Sequence, residues 1–338
     1  MPLDRLLDEL GACVDRVHTG EGFNGTVLLA RDGAIVFERH CGFADFEKRV
    51  PLSAQSSFSL ASVSKPFTGL GILMQAHAGR LALDDKLAKF IPELPDTGAI
   101  TIRHLLHHTS GIADHIGLAD ELWDPKVVLT IEGLIALFQE HRPRPLFLPG
   151  REFEYSNTGY ALLGEVIART ARTSYPEFMD AAVFGPLGMK GSAAFNLASR
   201  ECPLRRRVFG FRRQRGQNVP CDLNFLDGVY GDGGIYSSAE DLVRWDRALR
   251  EGTLLPREVY QQAYVSGRLN NGEATDYGFG WEIEPDNVVE HWGEWEGFTA
   301  FIRRDLVRHT LLVVLSNVGP ASEVDPICVA ISRLVADA

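Results

Sequence analysis

The sequence has no apolar run that approaches the roughly 20 residues needed to cross a bilayer. Its five cysteines are odd in number and scattered, so neither a disulfide framework nor metal-ligand spacing is visible. Basic residues are in the minority, with 34 Lys and Arg against 45 Asp and Glu and a net charge of −11. These absences argue against a membrane-spanning protein, a disulfide-stabilised domain, and nucleic acid or an anionic membrane as the main partner. The cysteines are interpreted as buried or incidental thiols: Cys13, Cys41, Cys202, Cys221 and Cys328.

Linkers and repeats are missing as well. No stretch is rich enough in Pro, Gly or Ser to separate independent domains, and no internal repeat or low-complexity tract occurs. With 338 residues and 45% hydrophobic content, the chain can bury a large core. We therefore expect residues 1–338 to form a single domain, built as one body or as two packed lobes.

The segment 1–17 is predicted to be an amphipathic helix. Acidic residues stand between leucines and valines at helical spacing, and the basic start and apolar centre of a signal peptide are absent. From this pattern we expect a cytoplasmic protein with no membrane partner. The sequence leaves the oligomeric state open.

Strand patterns occur at both ends of the chain, and helix patterns lie between them. Two apolar runs, 25–30 and 34–39, are joined through Asp32-Gly33, which is a strong hairpin signal in this setting. Further strands are predicted at 277–284, 297–303 and 310–315, before a last helix at 323–336. Helices are predicted at 62–78, 131–140, 158–171 and 238–250.

This distribution predicts an α/β (α+β) fold. An antiparallel sheet would be built from both chain termini and flanked by helices, with a mainly helical lobe inserted. The expected sheet lobe comprises about 1–60 and 276–338, and the expected helical lobe about 66–275.

Three short motifs lie far apart in the chain and supply different chemical groups. Ser62-Val63-Ser64-Lys65 begins an apolar helix, Tyr155-Ser156-Asn157 begins a second helix, and His291-Trp292-Gly293 lies among the C-terminal strands. Together they offer a hydroxyl, an amine, a phenol, an amide and an edge strand. These groups are the equipment for acyl transfer through a serine ester.

In these motifs the sequence resembles the serine β-lactamase and penicillin-binding-protein superfamily, for which Ser-x-x-Lys is a signature. It is most similar to the branch that groups class C β-lactamases with related esterases and D-amino-acid peptidases. Further family-like segments are 23–28, 105–111, 186–189, 233–238 and 297–298. The resemblance covers nearly the whole chain. It implies the β-lactamase/transpeptidase-like fold, with the site in a cleft between lobes.

Ser62 is the predicted nucleophile, and Lys65 its predicted base. Residues three apart lie on one face of a helix, so the amine should stand near the hydroxyl. Burial should lower the pKa of Lys65 towards neutrality. Tyr155 would shuttle the proton if cations lower the pKa of its phenol, and Lys65 and His291 are the candidate cations. The resemblance assigns Asn157 hydrogen bonds to Lys65 and to a substrate carbonyl.

The strand around Gly293 is predicted to bind substrate. Gly293 allows close approach, and the N–H of Glu294 would form an oxyanion hole with the N–H of Ser62. Class C β-lactamases usually have Lys-Thr-Gly where this chain has His291-Trp292-Gly293, and relatives with histidine here are commonly esterases or peptidases. This departure puts β-lactam turnover in doubt.

An unperturbed histidine titrates near 6.5. His291 is therefore expected to anchor a substrate carboxylate on the acid side of neutrality. Beside it, Trp292, Glu294 and Trp295 suggest an aromatic, partly acidic rim, or else ordinary strand packing.

Two other clusters invite functional interpretations. The histidines at 104, 107, 108 and 115 lack His-Glu-x-x-His spacing and a matching carboxylate or cysteine, so structural roles are favoured and no metal or cofactor is expected. The arginine-rich stretch 200–215 is interpreted as a solvated loop, or alternatively as a contact for an acidic partner or substrate. Asp232, between two glycines, is expected to shape a turn beside the cleft.

The leading hypothesis is a metal-independent serine hydrolase that cleaves a small ester, amide or short peptide through an acyl-Ser62 intermediate. Within it, carboxylesterase is favoured over D-amino-acid peptidase or amidase, and both over β-lactamase. The alternative from another class is a catalytically silent binding or sensor protein on the same fold. The presence of Ser, Lys, Tyr and Asn together argues against that alternative.

Overall fold

The computed structural model describes residues 3–20, 22–199, 201–319 and 324–336. Its central element is a six-stranded antiparallel sheet that draws strands from both ends of the chain. In spatial order the strands are Glu282–Glu284, Val288–Trp295, Phe298–Asp305, Thr310–Ser316, Gly25–Arg31 and Ala34–Cys41. The predicted fold class, a sheet built from both termini with helices around it, is confirmed.

The hairpin between the first two strands forms where the sequence predicts it. Asp32 and Gly33 both have positive φ, 52° and 77°. A two-residue turn with positive φ at both positions matches the right-handed twist of the flanking strands. Arg31 and Ala34 consequently face each other as the last pair of the ladder.

One face of the sheet is covered by the two terminal helices, Leu3–Gly20 and Asp325–Ala336, which pack against each other. Successive side chains of a strand point to opposite faces, and Val27 and Leu29 point to this one. Leu10 lies fully buried among them. The first helix is thus amphipathic as predicted, and its apolar side closes a core of its own.

The opposite face of the sheet packs against the main hydrophobic core. Leu28 points to this side, and the helix Ala239–Glu251 lies against the strands Gly25–Arg31 and Thr310–Ser316. Leu242, Trp245 and Leu249 are buried at spacings of three and four residues, which places them on one side of that helix. The expected boundaries assign this helix to the helical lobe 66–275, whereas the structure packs it on the sheet.

The other long helices between the terminal strands are Lys65–His77, His115–Leu122, Ile131–His141 and Asn157–Ala171. No helix within the described ranges is long and apolar enough to span a membrane. The strand predicted at 277–284 is shorter than expected and runs only from Glu282 to Glu284. Gly280, with a φ of 81°, lies against the backbone of Lys65, so the chain bends past the helix before the strand begins.

The arginine-rich stretch is only in part the predicted solvated loop. Arg205, Arg206, Arg212 and Arg215 are exposed, but Phe211–Gln214 pairs with the following Gln217–Pro220 as a hairpin. The side chain of Arg207 is 9% exposed, lies over the Tyr236 ring, and donates to Asp222 at 2.6 Å and to the hydroxyl of Tyr236 at 3.0 Å. Asp222 thus balances the charge of Arg207 within the fold. Sequence alone could not show this ion pair, because the two residues are fifteen positions apart. Arg200 lies outside the described residues.

Candidate active site

A single tight turn presents Ser62. The chain forms a 3₁₀ turn over Ala61–Ser64 and continues directly into the helix Lys65–His77. Ala61 has a φ of 46°, a left-handed conformation that is uncommon for a residue with a side chain. The strain is one mark of a functional position.

Lys65 lies directly behind the hydroxyl of Ser62. Its Nζ donates to Ser62 Oγ at 3.0 Å, to Asn157 Oδ1 at 2.9 Å and to the carbonyl oxygen of Asp232 at 2.9 Å. Burial lowers the pKa of Lys65 to about 8, while the charges of Asp232 and Asp114 raise it. The prediction that burial brings this amine towards neutrality is confirmed.

Tyr155 lines the same cavity as Ser62. Lys65 Nζ lies 4.7 Å from the centroid of the Tyr155 ring. Burial raises the pKa of Tyr155, and the neighbouring Ser62 side chain only partly opposes this. The expectation that neighbouring cations lower the pKa of this phenol is therefore wrong: the dominant influence is desolvation.

Asn157 is fixed by a residue that the sequence did not single out. The N–H of Asn157 donates to Asp114 Oδ2 at 2.7 Å, and Asp114 Oδ1 accepts from Ile116 N at 3.0 Å. Asp114 thus caps the helix His115–Leu122 and sets the start of the helix Asn157–Ala171. An aspartate just before a helix is a common capping signal, but its second contact is long-range.

His108 holds the backbone on both sides of Tyr155. The N–H of Glu154 donates to the His108 carbonyl at 3.0 Å, and the N–H of Ser156 donates to His108 Nδ1 at 3.0 Å. The ring centroids of His108 and Tyr155 are 4.4 Å apart. Burial, followed by the charge of Lys65, keeps the pKa of His108 well below its usual range, so the ring is neutral. The sequence favours a structural role for His108, and these contacts show which backbone it supports.

The strand Val288–Trp295 fits closely against the serine turn. A Cβ on Gly293 would overlap the carbonyl oxygen of Leu60 and lie 3.0 Å from the backbone nitrogen of Ser62. Glu282–Glu284 pairs with this strand only as far as Glu290, so no strand of the described residues pairs with that side of it from there onward. Ser62 and Glu294 line the same cavity. The structure thus places at one cavity the two residues whose N–H groups are predicted to form the oxyanion hole.

His291 does not occupy the place that was predicted for it. The side chain is 1% exposed and is absent from the lining of the cavity beside Ser62. Its Nε2 lies 2.8 Å from the hydroxyl of Tyr277, and its Nδ1 lies 2.5 Å from the carbonyl of Trp292. Burial lowers the pKa of His291 to about 3, with the charge of Lys65 as the second cause. The geometry therefore gives no support to a titrating carboxylate anchor, and favours a role in shaping the strand.

The predicted rim is present in part. Glu294 and Trp295 line the cavity, and Trp295 Nε1 donates to Asp227 Oδ1 at 2.9 Å. Trp292 points to the other face of the sheet and packs against Phe301, with ring centroids 4.3 Å apart. Alternation along the strand places Trp292 and Trp295 on opposite faces, because they are three residues apart.

The cavity beside Ser62 has a volume of about 330 Å³. Asp227, Asp232 and Glu294 contribute carboxylates to its wall, and no Lys or Arg of the described residues lines it. Asp232 forms the predicted turn, in which its Oδ1 accepts from the N–H of Gly233 at 2.9 Å. Burial raises the pKa of Asp227 to about 7. The wall therefore carries acidic residues and, among the described residues, no fixed cation.

The four clustered histidines have separate partners. His104 caps its own helix, His107 Nδ1 contacts the carbonyl of Tyr277 at 2.9 Å, and His115 contacts Thr158. Among the described residues, no three His, Cys, Asp or Glu side chains are grouped as metal ligands.

The fold and these contacts define a class of protein: a sheet with helices on both faces, in which a serine on a tight turn lies beside a buried lysine and a tyrosine. The family model described as "Beta-lactamase" matches residues 3–333. The chain belongs to this family.

Known relatives agree with that assignment. The chain is 34% identical to penicillin-binding protein 4* of Bacillus subtilis over 308 residues, which cover 87% of this chain and 68% of that protein. A penicillin-binding protein structure from Bacillus halodurans has a TM-score of 0.79 at 26% identity, covering 95% of this chain and 98% of that one. The D-amino acid amidase of Ochrobactrum anthropi shares the fold, with a TM-score of 0.75 at 23% identity over 96% of this chain and 99% of that one.

Proposed function

We propose that the protein is a serine hydrolase that cleaves an ester or amide bond through an acyl-Ser62 intermediate. The observation that carries this proposal is the 3.0 Å contact between Lys65 Nζ and Ser62 Oγ at the wall of an open cavity. A serine hydroxyl needs a base before it attacks, and a lysine whose pKa is lowered to about 8 is one.

In the proposed reaction, Ser62 Oγ bonds to the substrate carbonyl carbon as its proton passes to neutral Lys65. The tetrahedral oxyanion is held by the N–H groups of Ser62 and Glu294. The carbon–leaving group bond then breaks, and the proton returns through Tyr155 to the departing oxygen or nitrogen. Water, deprotonated by the same pair, hydrolyses the acyl-Ser62 ester. Asn157 orients Lys65 and the acyl group. Every proton taken from a nucleophile is returned to a leaving group.

The charges of the cavity favour certain substrates. A β-lactam carries a carboxylate that a fixed cation should hold, and His291 is buried and neutral. The described cavity wall offers carboxylates and no Lys or Arg. We therefore place a carboxylesterase first, a D-amino-acid amidase or peptidase second and a β-lactamase third.

The cytoplasmic location expected from the sequence remains a prediction, which fractionation of the native cells would test.

The test is intact-mass spectrometry after incubation with a fluorophosphonate and, separately, with a penicillin. We expect one fluorophosphonate adduct, located on Ser62, and weaker or no penicillin adduct. Ser62→Ala should abolish labelling and lower ester turnover by roughly 10⁶, as loss of a serine nucleophile does elsewhere. Ser64→Ala, two residues on, is the control and should keep the adduct. An adduct on another residue would contradict Ser62 as the nucleophile, and no adduct with wild type would favour the silent binding protein.

A further inference from the structure

A second cavity, of about 320 Å³, lies at the other end of the sheet from Ser62. Asn287 is part of its wall and is six residues from Gly293 along the same chain segment, which corresponds to roughly 20 Å of extended strand. Besides the phenols of Tyr260 and Tyr264, the polar side chains of the wall are Arg250, Arg257, Gln261, Asn287, Arg304 and His309. The cavity is therefore separate from the candidate active site.

The base of this cavity carries an excess of positive charge. Arg304 is 1% exposed, and its Nε donates to Asp246 Oδ1 at 2.8 Å. Arg250 Nε donates to the other oxygen of the same carboxylate at 2.9 Å. Tyr264 also accepts from Arg304, but it is a neutral phenol. Two guanidinium groups thus share one buried carboxylate, which leaves a net charge of about +1 where desolvation is costly.

Two arginines of the wall have unmatched donors. Arg250 Nη2 is buried towards Gly33 and has no hydrogen-bond acceptor among the described residues. Arg257 is exposed, and no ion pair is seen for it in the described part of the chain. No Asp or Glu of the described residues lines the cavity, although the exposed Asp32 pairs with His309 at its edge. In a chain of net charge −11, such a lining is selective for anions.

We propose that this cavity binds a phosphate group, either as inorganic phosphate or as a small phosphate monoester. Guanidinium groups match the oxygens of a phosphate, and a dianion neutralises both the buried surplus and Arg257. Tyr260, Leu306 and Val307 add an apolar side to the wall. The volume is at the lower end of ligand pockets, so it holds the phosphate and a small organic group.

The experiment is thermal unfolding and isothermal titration calorimetry of the full chain with inorganic phosphate and with phenyl phosphate. Sodium chloride at matched ionic strength and acetate, a monoanion, are the controls. Phosphate-bearing ligands near a hundredfold excess over their Kd should raise the Tm by roughly 2–5 °C. Equal shifts with both ligands indicate that phosphate itself is recognised, and a larger shift with phenyl phosphate indicates a monoester.

Two variants with the same change in net charge test whether phosphate binds in this cavity. Arg257→Glu should weaken phosphate binding by about tenfold or more, because it replaces a donor with a repelling carboxylate. Arg16→Glu, on the N-terminal helix, changes the net charge equally and should bind as wild type does. Fluorophosphonate labelling of Ser62 should be the same in both. No response to either ligand beyond the salt controls, or equal weakening in the two variants, would overturn the proposal.

Discussion

At the scale of single residues, Lys65, the proposed general base, leads to a prediction of how the rate of Ser62 acylation depends on pH. Lys65 accepts the proton of Ser62 only when its amine is neutral, and its pKa is lowered to about 8. The rate constant of Ser62 acylation should therefore rise by about tenfold per pH unit from pH 6 towards 8 and level off above. Single-turnover labelling with a neutral ester across pH 6–9 measures it.

The same pH profile tests whether His291 is neutral, as its burial indicates. Its pKa is lowered to about 3, so it should cause no inflection near 6.5. Lys65→Arg, which cannot lose its proton in this range, should remove the rising limb together with most of the activity. A flat profile in wild type would contradict a lysine base.

His108 is a positioning residue for Tyr155 in this structure. His108→Leu removes the acceptor for the N–H of Ser156 and should slow acylation by roughly ten- to a hundredfold. In a Tyr155→Phe background the same change should add little, since the positioned hydroxyl is gone. Kinetics of the four proteins in a double-mutant cycle measure the coupling.

A control separates this role from simple destabilisation. His104→Leu alters a nearby histidine that caps its own helix and should leave acylation within about twofold of wild type. If His108→Leu lowers the rate equally with and without the tyrosine hydroxyl, its role is structural support only.

At the scale of secondary-structure elements, the site depends on how closely one strand approaches one turn. A Cβ at position 293 would overlap the Leu60 carbonyl, so Gly293→Ala should push the strand Val288–Trp295 away from the serine turn. A displacement near 1 Å can cost about a hundredfold in rate, and we expect a loss of that order in acylation. Stopped-flow labelling measures the rate, and circular dichroism checks the fold.

Gly98→Ala is the matched control, because nothing lies within 4 Å of a Cβ placed there. It should label as wild type does. Unchanged acylation in Gly293→Ala would show that the strand can retreat without disturbing the predicted oxyanion donors.

At the scale of the whole molecule, the terminal helices stabilise the sheet from the face opposite the site. Leu10 is fully buried there, so Leu10→Ala should lower the free energy of unfolding by about 2–5 kcal/mol. The labelling rate of Ser62 in the folded variant should stay unchanged. Urea unfolding followed by fluorescence gives the stability.

Leu7→Ala, on the same helix but only partly buried, should cost less than Leu10→Ala. If labelling of Ser62 fell in parallel with stability in these variants, the two faces of the sheet would not be separable in function.

Local signals in the sequence were sufficient to predict several helices and strands and the proximity of Ser62 and Lys65. Alternating apolar residues with Asp32-Gly33 determined the first hairpin, and apolar residues at helical spacing determined Leu3–Gly20 and Ala239–Glu251. Ser62 and Lys65 are three residues apart, and a single turn, here a 3₁₀ turn that leads into the helix, places the amine beside the hydroxyl. Such features depend on neighbours within a few residues, whose spacing is written in the chain.

Only the tertiary structure decided the surroundings of those groups. The sequence alone suggested that His291 titrates near neutral pH, but packing buries it against Tyr277. It also suggested that cations lower the pKa of Tyr155, but burial raises that pKa. The hydrogen bonds that His108 accepts from the N–H groups of Glu154 and Ser156 join segments nearly fifty residues apart. Burial and long-range hydrogen bonds set pKa values and orientation, and both arise from the packing of distant segments that no local pattern encodes.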